Sequence, residues 1–267
     1  MLPEIFYSSS ASPSSSSSSE DAKLGILSNL LFLVGSVLQV VTAIWDLRHY
    51  WLYSNDDDDD DGDDGKAWKW TLLDYQYYYL TAAGAGMYVL NAFLDLYQAR
   101  SSGGDRWEVW TALSFGLGAG LELACYVALD DKDDPDTYVA IMIASMHLYL
   151  LSGILALWQG MNCYCWSPCT ATGCSAGVLT EAGAFLFLLG CLIDVSLSWL
   201  SDPHLLALAP STLAWGNLAS ALLWLLDAVL YVSADCLLHF LPGWSGQQPS
   251  PRATRGAHAL IMRVLQK

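Results

Sequence analysis

Charge is what this sequence is short of. Asp, Glu, Lys and Arg make up 14% of its 267 residues, against about 25% in an ordinary soluble domain. A soluble surface needs charge, so the shortage bears on class more than the 54% of hydrophobic residues does. Positive charge is scarcer still, with 11 Lys and Arg against 27 Asp and Glu. Nucleic-acid binding is excluded as an expectation, because phosphate recognition needs clustered cations. Motifs of chemistry are missing too. There is no G-x-S-x-G elbow, no P-loop, no G-x-G-x-x-G and no H-E-x-x-H, so no catalytic residue, cofactor or metal site is assigned. A basic start and a short apolar core are absent from residues 1–22, which argues against a cleaved secretory signal; the first apolar run reads as a retained signal anchor.

The net charge of −16 comes from a few places. Asp56–Asp61, Asp63 and Asp64 form one acidic stretch, and Asp130, Asp131, Asp133, Asp134 and Asp136 form another. Between such stretches lie long apolar runs. A bilayer-spanning helix needs about 20 mostly apolar residues, since the hydrocarbon core is about 30 Å thick. Six segments qualify, at about 24–45, 72–96, 109–129, 138–158, 178–200 and 212–232. Stretches such as Leu30–Val34 and Phe185–Leu189 leave no polar face, whereas a soluble bundle helix keeps one. Trp and Tyr collect at the segment ends, as at Trp45, Tyr50, Trp51 and Tyr53, where amphipathic rings suit the headgroup region. The expected fold is an all-α, multi-pass membrane bundle of six transmembrane helices over residues 23–234, with the lipid bilayer as its partner.

Around it lie a Ser-rich tail at 1–22, expected to be disordered, Asp-rich loops at 54–65 and 130–136, and a C-terminal tail at 235–267. With six spans, one side carries seven Lys and Arg and the other carries Arg48, Lys66, Lys69 and Lys132. The excess places both termini in the cytoplasm. The Asp run at 56–64 lacks the glutamate of a calcium-binding loop and reads as a solvated loop.

A spacing recurs along the spans: glycine, ten residues, aspartate. It occurs as Gly35–Asp46, Gly84–Asp95, Gly183–Asp194 and Gly216–Asp227. Eleven residues are close to three helical turns, so the glycine and the acid share a face. Gly35, Gly84, Gly183 and Gly216 are thus helix-packing candidates. Duplication of a helical unit and chance both account for the spacing. The run Asn29-Leu-Leu-Phe-Leu-Val-Gly-Ser-Val-Leu38 resembles the N-x-x-F-x-x-G-S-x-L core of small YrhK-like membrane domains. That resemblance implies a membrane domain and no particular chemistry.

Ionisable side chains at bilayer depth are costly and commonly functional. Glu122, His147, Asp194 and Asp227 are the candidates for a proton or small-cation path; Asp95 and Glu181 lie nearer span ends. The competing reading is hydrogen bonding between helices. Cys163, Cys165, Cys169 and Cys174 cluster in one loop and suit lipidation on the cytoplasmic side. Disulfides rank second, and zinc third because the C-x-C spacing is wrong for it. Two functions follow: a small transporter or channel using its intramembrane carboxylates, or a non-transporting scaffold presenting its Ser-rich and Asp-rich segments. An intramembrane enzyme would have only Glu122 with His147 to work with.

Overall fold

The computed structural model describes residues 17–53, 72–101, 106–128, 135–164, 171–200 and 209–240. These form six helices: α1 (Ser17–Tyr53), α2 (Leu72–Ser101), α3 (Arg106–Ala128), α4 (Pro135–Tyr164), α5 (Ala171–Leu200) and α6 (Pro210–Phe240). Among the described residues there is no strand. Most of the helices outrun the apolar segments. α1 begins at Ser17, inside the stretch expected to be a disordered tail. α6 runs on to Phe240, taking in residues assigned to the C-terminal tail. Pro135 and Pro210 are the first residues of α4 and α6. Proline suits that position, because its missing N–H would have had no helical partner. Ala209 O accepts from the backbone N–H of Thr212 and Leu213 to close the first turn of α6. The Ser-rich residues 1–16, the acidic run at 54–65 and the tail beyond 240 lie outside the described residues.

Each helix packs extensively on the helices before and after it, and α6 packs on α1. The bundle is therefore a closed ring of alternating up and down helices. Hydrogen bonds fix the alternation. Ser28, near the start of α1, bonds Asn91 and Asp95, near the end of α2. Asn29 Nδ2 donates to Asp235 Oδ2 at 2.7 Å, joining α1 to α6. One end of the ring thus carries the starts of α1, α3 and α5 and the finishes of α2, α4 and α6.

The ring turns large apolar side chains outward and keeps polar ones among the apolar residues inside. Val34, Val37, Val41, Phe93, Leu117, Leu151, Phe185, Leu222 and Leu226 are exposed, while Ser28, Ser36, Asn91, Glu122, Ser145, Ser152, Ser220 and Asp227 are buried. An apolar outer surface of this kind suits lipid better than water. Five helices are long and apolar enough to cross a membrane. α2 is not among them: Asp74, Gln76 and Tyr77–Tyr79 begin it, and Asp95, Gln98 and Arg100 lie near its finish. It nevertheless fills its place between α1 and α3, turning Leu90 and Phe93 outward.

Every helix sends one aromatic ring to the centre: Phe32, Tyr88, Phe115, Tyr149, Phe187 and Trp224, none more than 6% exposed. Their centroids lie 4.9 to 6.4 Å apart, with intermediate contacts linking all six. A helical side chain leans toward its own N-terminus. The phenylalanines, all on odd-numbered helices, therefore lean toward one end of the ring. Tyr88, Tyr149 and Trp224, all on even-numbered helices, lean toward the other.

The ring divides into three equivalent hairpins, α1–α2, α3–α4 and α5–α6. Three residues after each phenylalanine is a glycine, Gly35, Gly118 or Gly190, and the partner helix's aromatic ring lies against it. A Cβ on Gly35 would meet Tyr88 at 2.6 Å, one on Gly118 would meet Tyr149 at 3.2 Å, and one on Gly190 would collide with the Trp224 indole. Four residues before the second aromatic stand Gly84, Ser145 and Ser220. Ser145 and Ser220 donate to the carbonyls of Gly118 and Gly190, and a Cβ on Gly84 would lie 3.6 Å from the carbonyl of Gly35.

Candidate functional site

On the side toward which the phenylalanines lean, a cavity of about 450 Å³ opens above the aromatic centre. Phe32, Phe115 and Phe187 form its floor, and all six helices contribute to its wall. Its charged lining residues are Asp95, Glu108, Glu181 and Asp227, and none of the lining residues is Lys or Arg. Asn91, Thr111, Ser152, Thr180 and Tyr231 add polar groups. The cavity runs toward the end that carries the start of α1 and the finish of α6.

The three hairpins can be compared at the level just above the floor. Four residues before each phenylalanine stand Ser28, Thr111 and Gly183; three after each partner aromatic stand Asn91, Ser152 and Asp227. In the first hairpin Ser28 Oγ bonds Asn91 Oδ1 at 2.9 Å. In the second, Ser152 Oγ donates to the carbonyl of Thr111 at 3.1 Å. In the third, Gly183 offers no side chain, and a Cβ there would stand 2.7 Å from Asp227 Oδ1. Asp227 is 1% exposed, and neither carboxylate oxygen has a hydrogen-bond partner. The third hairpin thus departs from the shared pattern by placing a carboxylate where the others place an amide or hydroxyl, and by removing its donor.

Of the other three acids of the cavity two are engaged, and the third, Glu181, is half-buried on the wall. Asp95 accepts from Ser28 Oγ and from Asn91 Nδ2, and Glu108 Oε1 accepts from Gln159 Nε2 at 3.1 Å.

Beyond the aromatic centre, on the opposite side, lies a second polar level. Seven residues after each phenylalanine stand Gln39, Glu122 and Asp194, and each faces the polar tip of its hairpin's second aromatic. Tyr88 Oη lies 2.8 Å from Gln39 Oε1, and Tyr149 Oη donates to Glu122 Oε2 at 2.6 Å. Asp194 lies beside Ser220 and the Trp224 indole, with its Oδ2 unpartnered.

Of the residues singled out in the sequence, Glu122 and Asp194 share this second level, and Asp227 stands across the aromatic centre from them. His147 joins neither. It is exposed on the outside of α4, with Nδ1 2.7 Å from the carbonyl of Ile143 and Nε2 accepting from Trp199 Nε1 at 3.3 Å. Two residues separate it from inward-facing Tyr149, about 200° of helix, so the Glu122–His147 pairing does not form. Gly35 and Gly84 meet between α1 and α2, Gly183 backs Asp227, and Gly216 abuts Leu197. The Gly-x-Asp spacing keeps one register only in α2 and α5, where Gly84 and Gly183 precede the central aromatic by four residues. Cys165 and Cys169 lie outside the described residues, as do the side chains of Cys163 and Cys174. Among the described residues no cluster of three or more His, Cys, Asp or Glu could hold a metal ion. Glu181, set with Asp95 nearer a span end, also lines the cavity; Glu108 and the phenylalanine floor carried no sequence signal, because Glu108 begins α3 at a span edge and a phenylalanine among leucines looks like any apolar residue.

No family model, no curated protein and no solved structure matches this chain.

Proposed function

We propose that this chain is a multi-pass membrane transporter that takes a cation into the cavity above Phe32, Phe115 and Phe187, with Asp227 as its counter-charge. The observation that carries this reading is the buried Asp227 carboxylate, both of whose oxygens lack a partner. An uncompensated charge at such depth costs about 2.5–3.5 kcal/mol on insertion scales, and a bound cation offsets that cost. The six-ring centre supports a carrier over an open channel, because the rings close the axis between the two polar levels. Glu122 and Asp194 beyond the rings supply the second acidic station that passage across the bilayer requires. With both termini in the cytoplasm, as the Lys and Arg count leads one to expect, the cavity would open inward.

The test is flux in proteoliposomes, read with a pH-sensitive dye and cation-selective electrodes. Asp227→Asn keeps the side chain's shape and is expected to abolish cation- or pH-driven flux while the purified protein stays monodisperse. Undiminished flux in Asp227→Asn, or none in the wild type for any cation, removes the transport reading. The scaffold alternative rests on residues 1–22 and 54–65, most of which lie outside the described residues.

A further inference from the structure

The cavity's chemistry narrows the cation, and this step rests on reading the cavity as a cation site. A divalent metal takes six or more oxygen ligands at 2.0–2.6 Å. Asp227 is the acid left unpartnered here, while Asp95 and Glu108 are engaged by neighbouring amides and a hydroxyl. A small inorganic ion held at Asp227 would have a floor of hydrocarbon beneath it and one further unengaged acid, Glu181, at a half-buried place on the wall. The volume of about 450 Å³ falls within the range of pockets for small organic ligands. Phe32, Phe115 and Phe187 present aromatic surface suited to an apolar body or to a cation over a ring. The lining has acids and no Lys or Arg, which excludes anions.

We propose that the cavity binds an organic amine as its ammonium: the N–H groups donate to Asp227, and the apolar body rests on Phe32, Phe115 and Phe187. An ammonium supplies the donors that Ser28 gives Asn91 in the first hairpin and that Gly183 cannot give Asp227. Gly183 is then a positioning residue, which keeps that carboxylate unoccupied.

The experiment is calorimetric titration of the full-length protein in lipid nanodiscs with 3-phenylpropylamine. Its neutral analogue 3-phenylpropan-1-ol, its anionic analogue 3-phenylpropionate, and potassium, sodium and calcium chlorides are the comparisons. Saturable binding of the amine is expected, at least about tenfold tighter than the alcohol, because truncating one partner of a buried charge pair costs that much or more. Asp227→Asn is expected to erase the preference for amine over alcohol. Gly183→Ser, whose Cβ and hydroxyl would crowd the Asp227 carboxylate, is expected to weaken the amine more than the alcohol. Equal binding of amine and alcohol, or an amine preference that survives Asp227→Asn, overturns the proposal. Binding of an inorganic cation lost in Asp227→Asn, with none of the amine, overturns the ligand class and leaves the cation site standing. Silence from amine and inorganic cations alike overturns both.

Discussion

At the scale of single residues, the glycines separate into those that admit a neighbour and those that face open space. Gly35 and Gly190 have the partner helix's aromatic ring where a Cβ would go, whereas Gly86 and Gly120 have nothing within 4 Å. Overpacking a filled core costs about 1–3 kcal/mol. Gly35→Ala and Gly190→Ala should each lower the thermal midpoint in detergent, while Gly86→Ala and Gly120→Ala should leave it unchanged or raise it, alanine being about 1 kcal/mol better in a helix. Equal effects at all four positions would argue against the close ring contacts. Tyr149 supplies a second case. Tyr149→Phe strands Glu122 Oε2, which accepts its hydroxyl at 2.6 Å. Leaving a buried acceptor unmade costs about 1–3 kcal/mol, so the variant should unfold earlier than wild type, and Tyr149→Phe combined with Glu122→Gln should recover part of the loss.

At the scale of the helix, apolar runs made the elements legible, and five of the six helices are long and apolar enough to cross a membrane, whereas polar residues at both ends of α2 leave it outside that set. Their ends were not legible. The turns around residues 20 and 21 and beyond Val232 are polar enough in sequence to resemble tails, yet they continue the helices. The inner face was legible in part. Asp227 announced itself as an acid among leucines, and Gly183 as a small residue at helical spacing. His147 misled, since position along a span fixes depth and not direction, and two residues decide which way α4 turns it. Asp95 stood near a span end in the sequence, yet it lines the cavity. The repeat was seen through glycine and aspartate, whereas the equivalence lies in aromatic positions that composition hides among other apolar residues. α2 carries the sharpest prediction at this scale. If it crosses the bilayer like its neighbours, a cysteine introduced at 103 is labelled by an impermeant maleimide from the same side as one introduced at 20. Labelling from opposite sides would show that α2 does not cross.

For the molecule as a whole, the arrangement is a ring of three hairpins whose outer surface is hydrocarbon and whose axis alternates acid, aromatic and acid. Lipid has to be the outer neighbour for that order to be stable, since Leu117, Phe185, Leu226 and their like would otherwise meet water. The cavity, its unpartnered Asp227 and the second acidic level at Glu122 and Asp194 take their meaning from that surrounding. Alkaline extraction of membranes from cells expressing the full-length chain tests it directly. The chain is expected to stay in the pelleted bilayer at high pH and to leave it only in detergent. Its recovery in the supernatant as a monodisperse species without detergent would contradict the account.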